Sequence, residues 1–194
     1  AYKLKKPVDF GFLDFTALTM NDSIPLLRAL AFFATFISDG TQSISGASVV
    51  ASPIADVGGS RFIGYAANDT LTGGVGADTL NGGLGNDSLS GGNANDRLIG
   101  GVGNDTMTGG ANQDTFVFEF AGFGSDVITD FGAAAGGSQD RLDVTGLGIT
   151  AATFAADVSI VAQGLDTLIT IGADTIVLTA IAPAAITQAD FILA

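Results

Sequence analysis

Six aspartates recur at a single interval: Asp69, Asp78, Asp87, Asp96, Asp105 and Asp114 stand nine residues apart without a slip. Each lies in a glycine-rich stretch, and two residues later comes one large apolar side chain: Leu71, Leu80, Leu89, Leu98, Met107 and Phe116. Carboxylates are hard oxygen ligands, and a glycine-rich turn can offer its backbone carbonyls to the same ion. The chemistry on offer is cation binding in a compact oxygen cage. Of the acidic residues, all but Glu119 are Asp. Asp is one methylene shorter than Glu and suits tight turns, whereas a merely solvated acidic surface uses Glu at least as readily.

Aligned on these aspartates, residues 64–117 read GYAANDTLT, GGVGADTLN, GGLGNDSLS, GGNANDRLI, GGVGNDTMT and GGANQDTFV. Each block ends in a polar-apolar-polar triplet, expected to be a short strand whose apolar side chain points inward. Two blocks then make an 18-residue coil of two strands and two turns. Stacked coils pair as parallel strands, placing Asp69, Asp87 and Asp105 on one edge and Asp78, Asp96 and Asp114 on the other. Parallel neighbours sit about 4.8 Å apart and Ca–O bonds are about 2.4 Å, so a Ca²⁺ ion between stacked turns bridges both layers; Mg²⁺, at about 2.0–2.1 Å and octahedral, fits worse. Three turns per edge leave two gaps, which predicts about four ions. Without metal the stacked carboxylates repel and one-apolar-residue strands bury little, so folding is expected to be coupled to Ca²⁺. Extracellular modules bind Ca²⁺ with Kd of about 10⁻⁴–10⁻³ M, which places that folding outside the cell.

What must position this array is less regular. Residues 1–63 form an N-terminal region of unknown role, a possible assembly segment, with Phe10, Phe12, Phe15 and one short helix near Leu26–Phe33 expected to be buried. Ser43–Val57 reads as extended. Residues 118–194 read as a C-terminal cap. In it, Val158–Val161, Thr167–Ile171 and Thr175–Thr179 predict a three-stranded antiparallel meander. Asp126, Asp130, Asp140 and Asp143 are as suited to capping turns as to holding metal. The fold expected is therefore all-β.

Composition narrows the function. The net charge is −13 with only seven basic residues, three of them Lys3, Lys5 and Lys6, which argues against nucleic acid. Absence of Cys and His removes disulfides, the usual zinc sites, thiol nucleophiles and Ser-His-Asp machinery. No paired-Glu arrangement is present, so the chain is not expected to be an enzyme, although a catalytic domain could precede it in a longer precursor. The longest apolar run, Leu26–Ile37, is interrupted by Arg28 and too short to span a bilayer. No N-terminal secretory pattern is visible.

The blocks match G-G-x-G-x-D-x-U-x and resemble the RTX (repeats-in-toxin), hemolysin-type calcium-binding repeat. The resemblance implies a right-handed parallel β-roll over 64–117. It also implies that carbonyls at block positions one to four join the aspartates as Ca²⁺ ligands: Gly74, Gly76, Gly82, Gly83, Leu84 and Gly85, then Gly91, Gly92, Asn93 and Ala94, then Gly100, Val102, Gly109 and Ala111. Asp114–Phe118, Asp130-Phe131 and Asp140–Asp143 are similar to the segment that caps such rolls, and Asp190-Phe191-Ile192-Leu193 looks like an uncleaved export signal. By that resemblance the chain is the C-terminal module of a larger protein, exported by a Gram-negative bacterium through a type I ABC-transporter channel and folding on external Ca²⁺. The competing reading is a structural extracellular protein (adhesin, surface layer or filament) that self-associates with Ca²⁺. The sequence departs from the motif at Tyr65 in a second position and at Ala67, Ala94 and Asn112 in a fourth. An Ala forced to positive φ costs about 1–2 kcal/mol.

Overall fold

The computed structural model describes residues 41–43, 48–50, 59–133 and 139–194, all within one compact unit, Ile37–Ala194. The helix expected near Leu26–Phe33 and the cluster Phe10–Phe15 lie outside the described residues.

The strands follow the nine-residue rhythm. After β1 (Thr41–Ser43) and β2 (Ser48–Val50) come β3 (Arg61–Ile63), β4 (Thr70–Gly74), β5 (Thr79–Leu84), β6 (Ser88–Asn93), β7 (Arg97–Val102), β8 (Thr106–Ala111) and β9 (Thr115–Val117). Then follow β10 (Ser125–Ile128), β11 (Arg141–Asp143), β12 (Val158–Gln163), β13 (Asp166–Ile171), β14 (Asp174–Leu178) and β15 (Phe191–Ile192). Consecutive strands of the array go alternately to two sheets. The first is ordered β1-β3-β5-β7-β9-β11-β15 and the second β12-β13-β14-β10-β8-β6-β4-β2. The result is all-β, a parallel β-solenoid with antiparallel strands at its C-terminal end.

Register follows the sequence period. Leu80 pairs with Leu98 and Leu98 with Phe116 in the first sheet, while Leu71 pairs with Leu89 and Leu89 with Met107 in the second. All six are at most 1% exposed, and their columns meet in the core between the sheets. Burying each such side chain contributes roughly 1.5–3 kcal/mol. The strands are longer than the predicted triplets, because pairing runs on through both glycines, as in Gly83–Gly101 and Gly92–Gly110. A methyl group at Gly83 would strike the carbonyl of Tyr65 in the layer below, so only a bare Cα lets the backbones stack this closely.

The stack also runs past the six blocks. Phe62 pairs with Leu80 at one end; at the other, Met107 pairs with Ile128, Phe116 with Leu142 and Leu142 with Phe191. These added layers escape an alignment on Asp because the first carries Ser60 at the aspartate position and the later ones follow longer loops. The meander β12–β13–β14 is antiparallel as expected, and β14 joins β10 in parallel. A short helix, α1 (Phe154–Asp157), precedes it. The terminus is docked: Thr187 and Asp190 form a capping box, Phe191 is buried against Phe154 at 4.8 Å, and the Ala194 amide donates to Ile149.

All four departures from the glycine pattern keep the backbone that glycine would have taken. Tyr65, Ala67, Ala94 and Asn112 have φ of 72°, 78°, 77° and 85°.

Candidate metal centre

The aspartates form two ladders, one on each edge of the roll. In each rung the backbone amide of one Asp donates to Oδ1 of the Asp 18 residues later. These bonds run Asp69 to Asp87, Asp78 to Asp96 and Asp87 to Asp105, each 2.7 Å, and Asp96 to Asp114, 2.8 Å. The cap extends both ladders, since the Asp105 amide donates to Asp126 and the Asp114 amide to Asp140, each at 2.9 Å. Asparagines at block position five make a second set of rungs on the first edge, with Asn86 donating to Asn68 Oδ1 and Asn104 to Asn86 Oδ1.

Oδ1 is thus committed, and Oδ2 carries the chemistry. Oδ2 of Asp87, Asp96, Asp105 and Asp114 is buried and accepts no hydrogen bond, although these residues are at most 3% exposed. A buried carboxylate oxygen without a partner is costly and calls for a cation. Each lies beside a first-position glycine. A Cβ at Gly82 would collide with Asp87 Oδ2 and crowd the Gly100 carbonyl, and one at Gly91 would collide with Asp96 Oδ2 and crowd the Gly109 carbonyl. Gly64 with Asp69 and Gly82, and Gly73 with Asp78 and Gly91, repeat the arrangement. Four cradles result, each combining a carboxylate of one layer with a carbonyl of the next. Among the described residues no three carboxylates converge on one point, so an ion here must take backbone oxygens as well.

Of the carbonyls expected as ligands, those of Gly82, Gly91, Gly100 and Gly109 are brought to the aspartates. Gly74, Gly83 and Gly92, with Leu84, Asn93, Val102 and Ala111, lie in the strand ladders, and the Val102 carbonyl accepts from the Gly85 amide. Gly76, Gly85 and Ala94 lie in the turns between strands. A carbonyl has two lone pairs, so pairing does not bar coordination.

The cap aspartates divide. Asp130 spends both oxygens on the amides of Gly109 and Gly110, standing in for the strand that would have followed. Asp140 takes the amides of Asp114 and Gly132. Asp143 accepts from Thr145 and pairs with Arg97 at 3.2 Å. Asp174, which no repeat or motif singles out, closes the turn at Gly122 and Gly124.

Electrostatics agree with a site built for positive charge. Burial, opposed by a backbone hydrogen bond and reinforced by neighbouring carboxylates (Asp78 for Asp96, Asp87 for Asp105, and Asp140, Asp96 and Asp130 for Asp114), pushes Asp96 and Asp105 up to about 6 and Asp114 to about 7. Asp126 rises to about 8 for the same reasons, with Asp105 and Asp174 as its charged neighbours. Burial would raise Asp143 too, but hydrogen bonds from Thr145 and Arg97 outweigh it and hold it below the usual range.

Residues 55–89 and 90–119 match the RTX calcium-binding nonapeptide repeat (4 copies). Among solved structures, the chain is similar to the AlgE6R3 subunit from the Azotobacter vinelandii mannuronan C5-epimerase, at 29% identity and a TM-score of 0.52 over 67% of this chain and 80% of that one. The AlgE6R2 subunit of the same epimerase gives 26% identity and 0.51 over 78% and 92%. The comparison with curated proteins gave no match. Motif, register and cradle geometry agree: the chain carries an array of RTX calcium-binding nonapeptide repeats, folded as a parallel β-roll.

Proposed function

We propose that this chain is a Ca²⁺-dependent folding module of a larger secreted protein. About four ions sit between the stacked turns, held by Asp69, Asp78, Asp87, Asp96, Asp105 and Asp114 together with carbonyls such as those of Gly82, Gly91, Gly100 and Gly109. The observation that carries this is the buried, unpartnered Oδ2 of Asp87, Asp96, Asp105 and Asp114. Ca²⁺ stabilises those carboxylates when it binds and leaves them mutually repelling when it does not, so binding is folding. At cytosolic Ca²⁺ the chain stays loose and suited to threading through a type I ABC-transporter channel; outside a Gram-negative cell it closes. The Asp190–Leu193 tail serves as the export signal, and its docking in β15 suits a signal read only before folding. The role is non-catalytic. Among the described residues no helix is long and apolar enough to cross a membrane.

Circular dichroism titrated with Ca²⁺ tests this: strand signal should grow with Ca²⁺ and not with Mg²⁺. A spectrum that keeps its strand signal in excess chelator at pH 8 would overturn the coupling of folding to metal.

A second reading, Ca²⁺-dependent self-assembly, draws on an apolar row along one edge, where Tyr65, Leu84 and Val102 are 57%, 55% and 37% exposed in successive layers. Light scattering at saturating Ca²⁺ decides it, and a strict monomer counts against it.

A further inference from the structure

The second sheet ends on β12, which pairs with β13 alone. A two-residue turn, Gly164-Leu165, joins the two strands, and Gly164 takes φ of 70°, the form that suits a tight hairpin. Gln163 and Asp166 therefore close the turn as a hydrogen-bonded pair, and the alternation of an antiparallel ladder makes Val161–Leu168 and Ser159–Thr170 the next two. The main-chain groups of Val158, Ile160 and Ala162 point the other way, off the sheet. The Val158 amide is taken by the Phe154 carbonyl. That leaves the Val158 carbonyl and both groups of Ile160 and Ala162, none of which has a partner among the described residues. Ser159, Ala162 and Gln163 are exposed, Val161 is 46% exposed, and Leu165 at the hairpin tip is 88% exposed. An open strand edge beside exposed apolar side chains is a template for another strand.

We propose that β12 is a self-association edge, to which a second copy of this chain adds its own β12 antiparallel about a two-fold axis at Val161. Charge singles out the second copy. A net charge of −13 sets two copies against each other over most of their surface, yet residues 158–165 carry no charge at all. The free groups fix where the axis lies. Centred on Val161, Ile160 of each copy exchanges both of its bonds with the partner's Ala162, and four hydrogen bonds satisfy all four residues. Centred on Ile160 instead, the Ala162 carbonyl would meet the Val158 amide, which Phe154 already holds. The Val161 axis also puts the two Val161 side chains directly opposite each other, in the closer kind of cross-strand pair. It keeps the nearest acids apart: the two Asp157 residues stand eight positions from one another, about 27 Å, well beyond the screening length. Six strand residues a side fall short of the roughly 20–30 of a standard interface, so the dimer is a weak and reversible one. This edge belongs to the second sheet, whereas Leu84 and Val102 of the exposed apolar row belong to the first, so the two interfaces can be tested apart.

Sedimentation equilibrium of the full chain at saturating Ca²⁺ tests this, with dichroism confirming that each variant is folded. The wild type should show a reversible monomer–dimer equilibrium. Ala162→Pro removes an amide that faces outward from the edge strand, and with it two of the four bonds across the axis, so the dissociation constant should rise roughly thirty-fold. Val161→Lys sets like charges opposite each other and should weaken the dimer roughly ten-fold or more. Mixing Val161→Lys with Val161→Glu should recover dimers, because the axis pairs position 161 with itself. Leu84→Ser, on the first sheet, should leave the equilibrium unchanged. A strictly monomeric wild type, dimers that survive both Ala162→Pro and Val161→Lys, no recovery in the mixture, or dissociation by Leu84→Ser would each overturn the edge.

Discussion

The backbone amide of Asp96 donates to Oδ1 of Asp114 at 2.8 Å, which leaves Oδ2 of Asp114 buried and without a hydrogen bond. One carboxylate thus has two tasks, one oxygen for the layer before it and one for a cation. Removing the charge separates them. In Asp96→Asn the amide oxygen can still accept from Asp78, but the anionic ligand is gone. The variant should need several-fold more Ca²⁺ to reach half-maximal strand signal and should bind fewer ions by equilibrium dialysis. An unchanged stoichiometry would remove Asp96 from the ligand set.

Position in the ladder should matter as much as residue type. Asp87 accepts from Asp69 and donates to Asp105, so it couples layers on both sides. Asp87→Ala should therefore raise the Ca²⁺ midpoint more than Asp69→Ala, where the adjoining turn contains two strained residues, Tyr65 and Ala67. Equal midpoints would refute the layered scheme.

Acidity should act oppositely with and without Ca²⁺. The ladder carboxylates, with Asp96 and Asp105 at about 6, Asp114 at about 7 and Asp126 at about 8, lie above the ordinary 3.8 of an unfolded chain. The metal-free fold therefore binds protons more tightly than the unfolded chain. Their contribution is fully present below about pH 4 and is lost as pH rises through 6 to 8. In chelator, strand content should fall across that window. With Ca²⁺ present, acid should instead release the ions, because the ligands must be deprotonated.

Two glycines separate steric from conformational cost. Gly82→Ala puts a methyl group where Asp87 Oδ2 lies, so it should shut the cradle and raise the Ca²⁺ midpoint strongly. Gly172→Ala meets nothing within 4 Å and pays only for φ of 64°, about 1–2 kcal/mol, with no change in ion count. Calorimetry with ion counting distinguishes them. Conversely, Ala94→Gly should stabilise the Ca²⁺ form by up to about 1 kcal/mol by relieving a positive φ of 77°.

The docked terminus can be loosened selectively. Phe191 is 3% exposed and packs edge-on against Phe154, so Phe191→Ala should cost about 3–5 kcal/mol locally. Limited proteolysis of the Ca²⁺ form should then cut the tail before the roll.

Much of this architecture is legible in the sequence because one period dictates it. The nine-residue interval fixes which side chains point inward, and twice that interval fixes which aspartates stack. Legibility ends where the period ends. Asp126 and Asp140 carry on the ladders at steps of 21 and 26 residues, and no sequence rule says which of four flanking aspartates will do so. Asp130 looks like its neighbours but caps glycine amides, a role visible only in the folded chain, just past the end of β10. Ser60 hides a further layer because an alignment on Asp passes over it, although Phe62 two residues on carries the signal.

The ladders also have a direction. Every amide in them is received by a carboxylate that comes later in the chain, and the last two acceptors, Asp126 and Asp140, belong to the cap. Closure is therefore vectorial. A nascent chain that has only just completed its repeats holds two open amides, at Asp105 and Asp114, and nothing yet synthesised can receive them. Premature collapse is discouraged by the order of synthesis itself, and truncation from the C-terminal side should unravel more than an equal cut from the other end.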